Sequence, residues 1–328
     1  MIKILYIEKN LVNRSSTKKI LKKFKEFEKF ICEKYTDVFN KKSQNFRIQK
    51  RKPSLILANK KGKLLNKIPK NYSIGGDESY YFSHMLNCIY DCKYCFLQGM
   101  FNSANFVLFT NFEDFKTKIK EIIDKKEKKK IHFFSGYDCD SLAMESLTGF
   151  ANEFVDFFSK SKTGLLELRT KSTAINTFLS KEPNLNTVIA YSLSPDEIIK
   201  KYEDKTPSLK KRINAIKILQ SYGWRIGLRF DPIIYIEEYK IIYESFFKEV
   251  FFNIDIETIH SATVGTFRMP NSFFKRIEKY NIKQLKTENF ETNNNWVTYK
   301  KNIKEEVINY CSKEILNYIP KKIFFIHQ

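Results

Sequence analysis

The 328-residue chain has only 10 glycines, few acidic residues relative to basic ones, and no long apolar run. Because a helix that crosses a bilayer needs about 20 mostly apolar residues, we expect no membrane-spanning segment and no membrane partner. The start of the chain, MIKILYIEKN, becomes charged too early for a secretory signal, so we expect a cytoplasmic protein. The 6 cysteines do not resemble a disulfide framework, which agrees with a reducing compartment.

The excess of basic residues indicates a polyanionic partner. The sequence has 58 Lys and Arg against 37 Asp and Glu, which gives a formal net charge of +21. A basic surface of this size favours nucleic acid over an anionic membrane, although lysines on solvated faces would give the same count. Hydrophobic residues make up 42% of the chain, which is enough for a sizeable core.

Apolar runs alternate with helical patterns from about residue 79 to about residue 260. The runs predicted to form strands lie at 80–86, 130–136, 164–170, 187–193, 224–230 and 250–256. The helical patterns lie at 111–126, 144–160, 173–180, 195–202, 207–222 and 237–249. This alternation predicts an α/β fold in which crossover helices join the strands of a parallel sheet. Six such units in roughly 180 residues suit a partial (β/α)6 barrel, with functional groups after the carboxyl ends of the strands.

We predict three regions along the chain. Residues 1–75 form a small N-terminal α/β region, residues 76–265 the partial barrel, and residues 266–328 a C-terminal helical and hairpin extension. In the first region, IKILYI and KPSLILAN are typical of strands, and residues 15–35 are typical of a helix. The basic residues on either side of KPSLILAN, with Phe46 among them, either contact a phosphate backbone or form a solvated face.

The C-terminal extension contains two helical patterns, at 270–281 and 302–316. Between them, residues 283–300 are typical of a loop or hairpin. Trp296 and Tyr299 in this segment are candidates for exposed residues that stack on a base. Packing within the extension is the alternative for both.

Three of the cysteines lie close together in the stretch NCIYDCKYCFLQGMF. They are Cys88, Cys92 and Cys95, with the spacing C-x3-C-x2-C. Thiolates bind zinc or iron–sulfur clusters, but a structural zinc site normally has four ligands in two paired half-sites. The chain has no second CxxC pair, although His84 is near in sequence. The three cysteines therefore predict a 4Fe-4S cluster with one iron atom left open.

A C-x3-C-x2-C loop that follows a strand of a βα barrel resembles the signature of the radical S-adenosylmethionine (SAM) enzymes. Phe96, directly after the third cysteine, also fits that signature. The resemblance implies that SAM binds to the open iron atom through its methionine moiety. It also implies that an electron from the cluster cleaves SAM to a 5′-deoxyadenosyl radical, which takes a hydrogen atom from the substrate.

Further blocks resemble, in order, the spore photoproduct lyase family of radical SAM proteins. They are SGYDCDSLAMESLTGF, LELRTKS and EDKTPSLKKRINAIKILQSYGWRIGLRFDPII. The resemblance extends from YIEKN near the start to about residue 270. It implies a carbon–carbon lyase that repairs a UV-induced pyrimidine lesion in DNA, with a flavodoxin- or ferredoxin-type protein as electron donor. DNA would meet the basic surface through its phosphates.

The matching blocks also imply a set of SAM-binding residues. Lys171, after LELRT, matches a lysine that holds the SAM carboxylate, and Gly136 lets the backbone approach the cofactor. Glu203, Thr206 and Arg212 fall in another matching block, where capping and pinning of a helix is the alternative. The predicted cofactor-binding residues are Ser135, Gly136, Asp140, Ser141, Lys171, Ser192 and Ser194.

In this family a cysteine after the second barrel strand returns a hydrogen atom to the product, with help from tyrosines near the cluster. Counting forward from the cluster assigns this role to Cys139, whereas alignment on DSLA and Lys171 assigns it to Tyr137. Tyr94 matches one of the tyrosines. Phe96 replaces the other and lacks the hydroxyl group. The predicted catalytic residues are therefore Cys139, Tyr94 and Tyr137, and the identity of the hydrogen donor stays open.

Two other functions remain compatible with the sequence. The first is a radical SAM enzyme that acts on RNA or a small metabolite, because charge does not distinguish DNA from RNA. The second is a nucleic-acid-binding protein whose iron–sulfur cluster acts as a sensor without catalysis. The matches around Lys171 argue against the second, since a sensor needs no SAM pocket.

Overall fold

The computed structural model describes residues 3–279 and 287–327. The strands within these ranges are β1 (Ile4–Glu8), β2 (Glu28–Cys32), β3 (Leu55–Ala58), β4 (Asn66–Lys67), β5 (Glu78–Phe82), β6 (Met85–Leu86), β7 (Asp91–Cys92), β8 (Phe106–Phe109), β9 (Ile131–Ser135), β10 (Gly164–Thr170), β11 (Thr187–Ser192), β12 (Glu203–Asp204), β13 (Arg225–Ile233), β14 (Ile259–Thr266), β15 (Arg268–Pro270), β16 (Phe290–Asn293), β17 (Trp296–Tyr299) and β18 (Phe324–Ile326). The α-helices are α1 (Ser15–Leu21), α2 (Phe46–Gln49), α3 (Leu97–Met100), α4 (Phe112–Asp124), α5 (Glu145–Thr148), α6 (Phe150–Ser159), α7 (Asn176–Leu179), α8 (Asp196–Tyr202), α9 (Leu209–Ser221), α10 (Tyr239–Asn253), α11 (Asn271–Glu278) and α12 (Lys301–Leu316). None of the described helices is long and apolar enough to span a membrane.

The larger sheet has eight strands in the order β18-β14-β13-β11-β10-β9-β5-β4. All neighbouring pairs from β18 to β5 are parallel, and β4 is antiparallel to β5. Helices α4, α6, α9 and α10 lie in the crossovers between successive parallel strands. The six parallel strands from β5 to β14 confirm the predicted partial (β/α)6 barrel. Their carboxyl ends all lie at one end of the barrel.

One of the six predicted strands is wrong. Residues 250–256 do not form a strand, because α10 extends to Asn253 and the sixth barrel strand is β14, at Ile259–Thr266. Val250 and Phe251 are buried on one side of α10, whereas Phe252 is 73% exposed. A short apolar run of this kind is compatible with a helix face as well as with a buried strand, so periodicity alone could not separate them.

Helix α4 illustrates how the crossovers form. Phe112, Phe115 and Ile119 recur at helical spacing and are buried against the sheet. Glu113 and Asp114 lie in the first turn, where acidic side chains interact favourably with the helix dipole. Burial of three large apolar side chains contributes roughly 1.5–3 kcal/mol each, which fixes this face of the helix on the barrel.

The second sheet has five strands in the order β2-β1-β3-β8-β6. Its strands come from both sides of residue 75, since β6 and β8 follow the first barrel strand along the chain. The boundary predicted at 75 itself stays a prediction. The helix predicted at 15–35 is shorter than expected, because α1 ends at Leu21 and residues 28–32 form the edge strand β2.

The C-terminal residues complete the fold. Helices α11 and α12 agree with the predicted patterns, except that residues 280–286 lie outside the described residues. Strands β16 and β17 form an antiparallel hairpin, and β18 joins the barrel sheet beside β14. Trp296 is 46% exposed, as expected, but Tyr299 is 2% exposed and its hydroxyl accepts a hydrogen bond from the backbone N of Tyr235 at 2.9 Å. Tyr299 is thus a packing residue, and its predicted exposure is wrong.

Candidate active site

The loop that carries Cys88, Cys92 and Cys95 (residues 87–101, the cysteine loop) lies at the carboxyl end of the barrel, after β5. Burial raises the pKa of the Cys92 thiol, and the Glu203 carboxylate raises it further. The backbone N of Cys95 donates to the Cys92 carbonyl at 3.0 Å, so the loop turns tightly between these two cysteines. Among residues 3–279 and 287–327, no three His, Cys, Asp or Glu side chains are arranged to hold a single metal ion. A donor set of three thiols on one loop fits a cluster in which each thiolate binds a different iron atom.

A short strand pair anchors this loop to the barrel. Strand β7 is antiparallel to β12, with Cys92 opposite Glu203. The backbone N of Lys93 donates to the Tyr202 carbonyl at 2.7 Å, and Gln98 Nε2 donates to the Cys92 carbonyl at 2.6 Å. The EDKTP stretch that begins at Glu203 therefore forms one wall of the cysteine loop, which explains why it resembles a functional block.

Glu203 is a fully buried carboxylate at the centre of the site. It accepts hydrogen bonds from the Tyr94 hydroxyl, from Ser194 Oγ at 3.2 Å and from Arg212 Nη2 at 2.5 Å, and its Oε1 lies 3.5 Å from Lys171 Nζ. Burial alone would raise its pKa, but Lys171 and Arg212 outweigh burial and hold the pKa at about 2. Glu203 is therefore ionised at neutral pH, and it links three predicted site residues, Tyr94, Lys171 and Ser194. The sequence places Glu203 in a matching block but does not predict these contacts.

Lys171 follows β10 and points toward the cysteine loop. Its Nζ lies 5.8 Å from the centroid of the Tyr94 ring, and the side chain is 14% exposed. The positive charge of Lys171 lowers the pKa values of Cys92 and Cys95, against the larger effect of burial. An ammonium group thus stands beside the thiols with one carboxylate partner, Glu203.

Asp140 holds the start of the Lys171 loop. Its Oδ1 accepts hydrogen bonds from the backbone N atoms of Leu142 and Ala143 and from Thr170 Oγ1, at 2.7–2.9 Å. Its Oδ2 accepts from the backbone N of Lys171 at 2.7 Å. Both oxygen atoms are therefore engaged within the protein, and Asp140 joins the loop after β9 to the end of β10. Its predicted contact with a cofactor stays a prediction.

The turn after β9 brings the other predicted residues together. The Oγ atoms of Ser135 and Ser141 lie 2.7 Å apart, and Ser135 Oγ donates to the Glu167 carbonyl at 3.0 Å. Gly136 has a φ of +81°, and a Cβ atom there would collide with Ser141 Oγ. Only glycine fits this tight turn without strain.

Ser192 and Ser194 lie at the end of β11. Ser194 donates to Glu203 as described above, whereas the Ser192 carbonyl accepts from Arg212 Nη1 at 3.0 Å. Arg212 is fully buried and also donates to Thr206 Oγ1 at 2.8 Å. Glu203, Thr206 and Arg212 thus form one connected group, which is more than the capping of a helix.

Tyr137 and Cys139 have different surroundings. Tyr137 is 48% exposed, and its ring centroid lies 5.2 Å from that of Phe96 and 4.5 Å from that of Tyr81. Cys139 is buried, its Sγ lies 3.9 Å from His84 Nδ1, and burial raises the pKa of its thiol well above the usual value. Tyr137 therefore contacts the cysteine loop from the accessible side, while Cys139 lies in the core beneath it.

Helix α2 brings basic residues of the N-terminal region onto the cysteine loop. Arg47 Nη1 donates to Asp91 Oδ1 at 2.7 Å and to Gln98 Oε1 at 3.0 Å. Lys50, which is 6% exposed, donates to the Cys88 carbonyl. For buried Lys50, the prediction of a phosphate contact or a solvated face is wrong, whereas for Arg47, whose side chain is 36% exposed, it stays a prediction. Contacts between residues so far apart in the chain leave no local signal in the sequence.

A cavity of about 210 Å³ lies beside the C-terminal hairpin. Strands β15 and β17 carry part of it, since Arg268 lies opposite Thr298 and Pro270 opposite Trp296. The guanidinium of Arg268 lies 5.0 Å above the Tyr72 ring and 3.1 Å from Asp231 Oδ2. The lining residues are Tyr72, Thr266, Arg268, Trp296, Thr298, Lys304 and His327.

Comparison with known proteins places these features in context. Residues 1–323 match the sequence profile of the family described as spore photoproduct lyase. The spore photoproduct lyase of Clostridium acetobutylicum is 26% identical over 163 residues, which are 49% of this chain and 48% of the relative. That of Bacillus subtilis strain 168 is 24% identical over 177 residues, 54% and 52% of the two chains. The matched region spans about half the length of these curated relatives.

Solved structures show the same fold over the whole chain. A spore photoproduct lyase mutant is 17% identical, has a TM-score of 0.85, and covers 100% of this chain and 98% of its own. A second mutant, with bound AdoMet and dinucleoside spore photoproduct, is 16% identical with a TM-score of 0.87 and the same coverage. The partial barrel of this chain is therefore the fold of these solved structures. With a family profile matched along almost its entire length, the chain belongs to the spore photoproduct lyase family.

Proposed function

We propose that this protein is a radical SAM lyase that repairs spore photoproduct, a UV-induced pyrimidine lesion, in DNA. The observation that carries the proposal is the convergence of Lys171, Glu203 and Tyr94 on a three-cysteine loop at the carboxyl end of the barrel. When bound there, a 4Fe-4S cluster and SAM supply a 5′-deoxyadenosyl radical that takes a hydrogen atom from the substrate.

The residues of the chain have separate tasks in this proposal. Cys88, Cys92 and Cys95 hold the cluster. Lys171 presents its ammonium group to the SAM carboxylate, and Glu203 fixes the direction of that side chain from 3.5 Å away. Ser135, Gly136, Ser141, Ser192 and Ser194 line the SAM site, and Asp140 holds its loop in place.

For the return of a hydrogen atom to the product, we favour Tyr137 over Cys139. Tyr137 is half exposed and contacts Phe96 of the cysteine loop, whereas Cys139 is enclosed against His84. Tyr94, which is buried and bonded to Glu203, is a positioning residue in this scheme rather than the donor.

DNA is the proposed partner of the basic surface. Beside the hairpin, Trp296 offers a half-exposed ring for base stacking, and Arg268 and Lys304 offer positive charge for a phosphate. A lesion must leave the base stack to reach a site inside the barrel, which costs less for a damaged base. A flavodoxin- or ferredoxin-type protein is the proposed electron donor.

The test is an anaerobic repair assay. The cluster is reconstituted, and dithionite and SAM are added to DNA that carries spore photoproduct, a cyclobutane dimer or a 6–4 lesion in separate reactions. Mass spectrometry should detect loss of spore photoproduct and recovery of thymine. A Cys95→Ala variant should be inactive, and Cys32→Ala, which changes a cysteine outside the site, should retain activity.

Two results would redirect the proposal. If 5′-deoxyadenosine forms while every lesion survives, the radical SAM assignment stands and DNA repair fails. If no 5′-deoxyadenosine forms with a fully loaded cluster, the enzymatic proposal fails as a whole.

A further inference from the structure

Lys50 places a buried ammonium group against the cysteine loop. Its Nζ donates to the Cys88 carbonyl and lies 5.8 Å from the ring centroids of both Phe46 and Phe106. Lys50 comes from the N-terminal region, just after α2, rather than from the barrel. The aromatic enclosure keeps water away, and a charge in such surroundings acts more strongly on its neighbours than it would in water.

Lys50 contacts the backbone of the cysteine loop rather than a carboxylate. Within the described residues, Lys50 forms no ion pair with an Asp or Glu. Lys171, the other ammonium group near the thiols, differs because Glu203 lies 3.5 Å from it.

We propose that Lys50 raises the reduction potential of the cluster held by Cys88, Cys92 and Cys95. This inference rests on the proposed function, which supplies the cluster. Reduction adds one electron, and hence one negative charge, from a low-potential one-electron reductant, and no bond forms or breaks. A fixed positive charge beside the thiolates stabilises the reduced form more than the oxidised form, since net charge and hydrogen bonding set such potentials. Lys50 therefore acts on the cluster through its charge and not as a ligand.

The experiment measures the potential itself rather than repair. Wild-type protein, Lys50→Met, Lys50→Gln and Lys52→Met are reconstituted anaerobically, and iron and sulfide contents are measured. A mediated redox titration followed by electron paramagnetic resonance then gives each midpoint. Lys52 is the matched control, because it is exposed and carries the same charge two residues away.

In both neutral variants at position 50, the ratio of reduced to oxidised cluster at a fixed potential should be about tenfold lower than in the wild type. For a one-electron couple, this corresponds to a midpoint potential about 59 mV more negative. Lys52→Met should match the wild type. Glutamine can still donate to the Cys88 carbonyl, so equal shifts in both variants assign the effect to charge.

Three outcomes overturn the inference while the proposed function stands. The first is an unchanged midpoint in both variants. The second is a shift in Lys50→Met alone, which would assign the effect to the hydrogen bond. The third is failure of both variants to hold a cluster that the wild type holds. If the wild-type protein itself binds no cluster, the proposed function fails and this inference fails with it.

Discussion

Replacement of Glu203 by Gln tests the charge arrangement at the centre of the site. The substitution preserves the shape of the side chain and removes a negative charge that lies 2.5 Å from Arg212 and 3.5 Å from Lys171. Arg212 is fully buried, so it would become an uncompensated charge in the interior. Breaking a buried pair in this way typically costs about 3–5 kcal/mol of unfolding free energy.

The pKa of Glu203 gives a second estimate of the same effect. It is held at about 2, against an ordinary value of 4.5, which corresponds to about 3 kcal/mol for a fully buried group. A carboxyl whose pKa is depressed by folding contributes this stability fully above pH 4.5 and loses it as the pH falls from 4.5 toward 2. The difference between wild type and Glu203→Gln should therefore be largest near neutral pH and shrink over that acidic range.

The assay is urea-induced unfolding followed by circular dichroism at several pH values. Glu305→Gln serves as the matched control, since Glu305 is 61% exposed and lies 3.9 Å from Lys301 in a surface pair. The control should change the unfolding free energy by less than about 1 kcal/mol. If Glu203→Gln also unfolds within about 1 kcal/mol of the wild type at pH 7, the pair with Arg212 does not have the strength expected of a buried one.

Three further predictions concern function. Tyr137→Phe should lower the yield of repaired thymine per 5′-deoxyadenosine about tenfold, which corresponds to about 1.4 kcal/mol on the barrier, while Cys139→Ala should keep the wild-type ratio. Mass spectrometry of both products measures this ratio, and the reverse result would assign the hydrogen donor to Cys139. Lys171→Met should weaken SAM binding by about ten- to hundredfold in calorimetry, since a hydrogen bond to a charged group contributes about 1.5–3 kcal/mol. An unchanged affinity would contradict the proposed contact of Lys171 with the SAM carboxylate. Trp296→Ala should reduce the free energy of binding to single-stranded DNA by about 1–3 kcal/mol, as measured by fluorescence anisotropy. Phe252 is an exposed aromatic residue on α10, and Phe252→Ala should leave the affinity unchanged. Equal effects of the two substitutions would refute base stacking at the hairpin.

The barrel could be predicted from the sequence because its signals are local. Strands β9, β10, β11 and β13 are apolar runs that precede helical patterns, and each falls inside or across a predicted run. Strand β14, with the sequence IHSATVGT, has few large apolar residues, whereas the apolar end of α10 has the composition of a strand. The order of strands β2-β1-β3-β8-β6 was not predictable, because pairing between distant segments is decided by packing.

The site divides in the same way. The cysteine spacing and Lys171 after a strand are visible in the chain. The contacts that Glu203 and Lys50 make with the cysteine loop are not, because Glu203 meets Tyr94 across 109 positions and Lys50 meets Cys88 across 38. Lys50 in particular lies in a basic segment, where a solvated face is the ordinary interpretation, since Lys is rarely buried without a partner.

The same geometry bears on the departure at Phe96. The resemblance to the family implies a tyrosine at position 96, and the phenylalanine there has no hydroxyl group. Tyr137, whose ring centroid lies 5.2 Å from that of Phe96, carries a hydroxyl group into the same neighbourhood from the carboxyl end of the adjacent strand β9. The Tyr81 ring packs against Tyr137, with their centroids 4.5 Å apart. The phenol absent at position 96 thus has a counterpart in space at position 137, to which the alignment on Lys171, though not the count from the cluster, assigns the hydrogen donor.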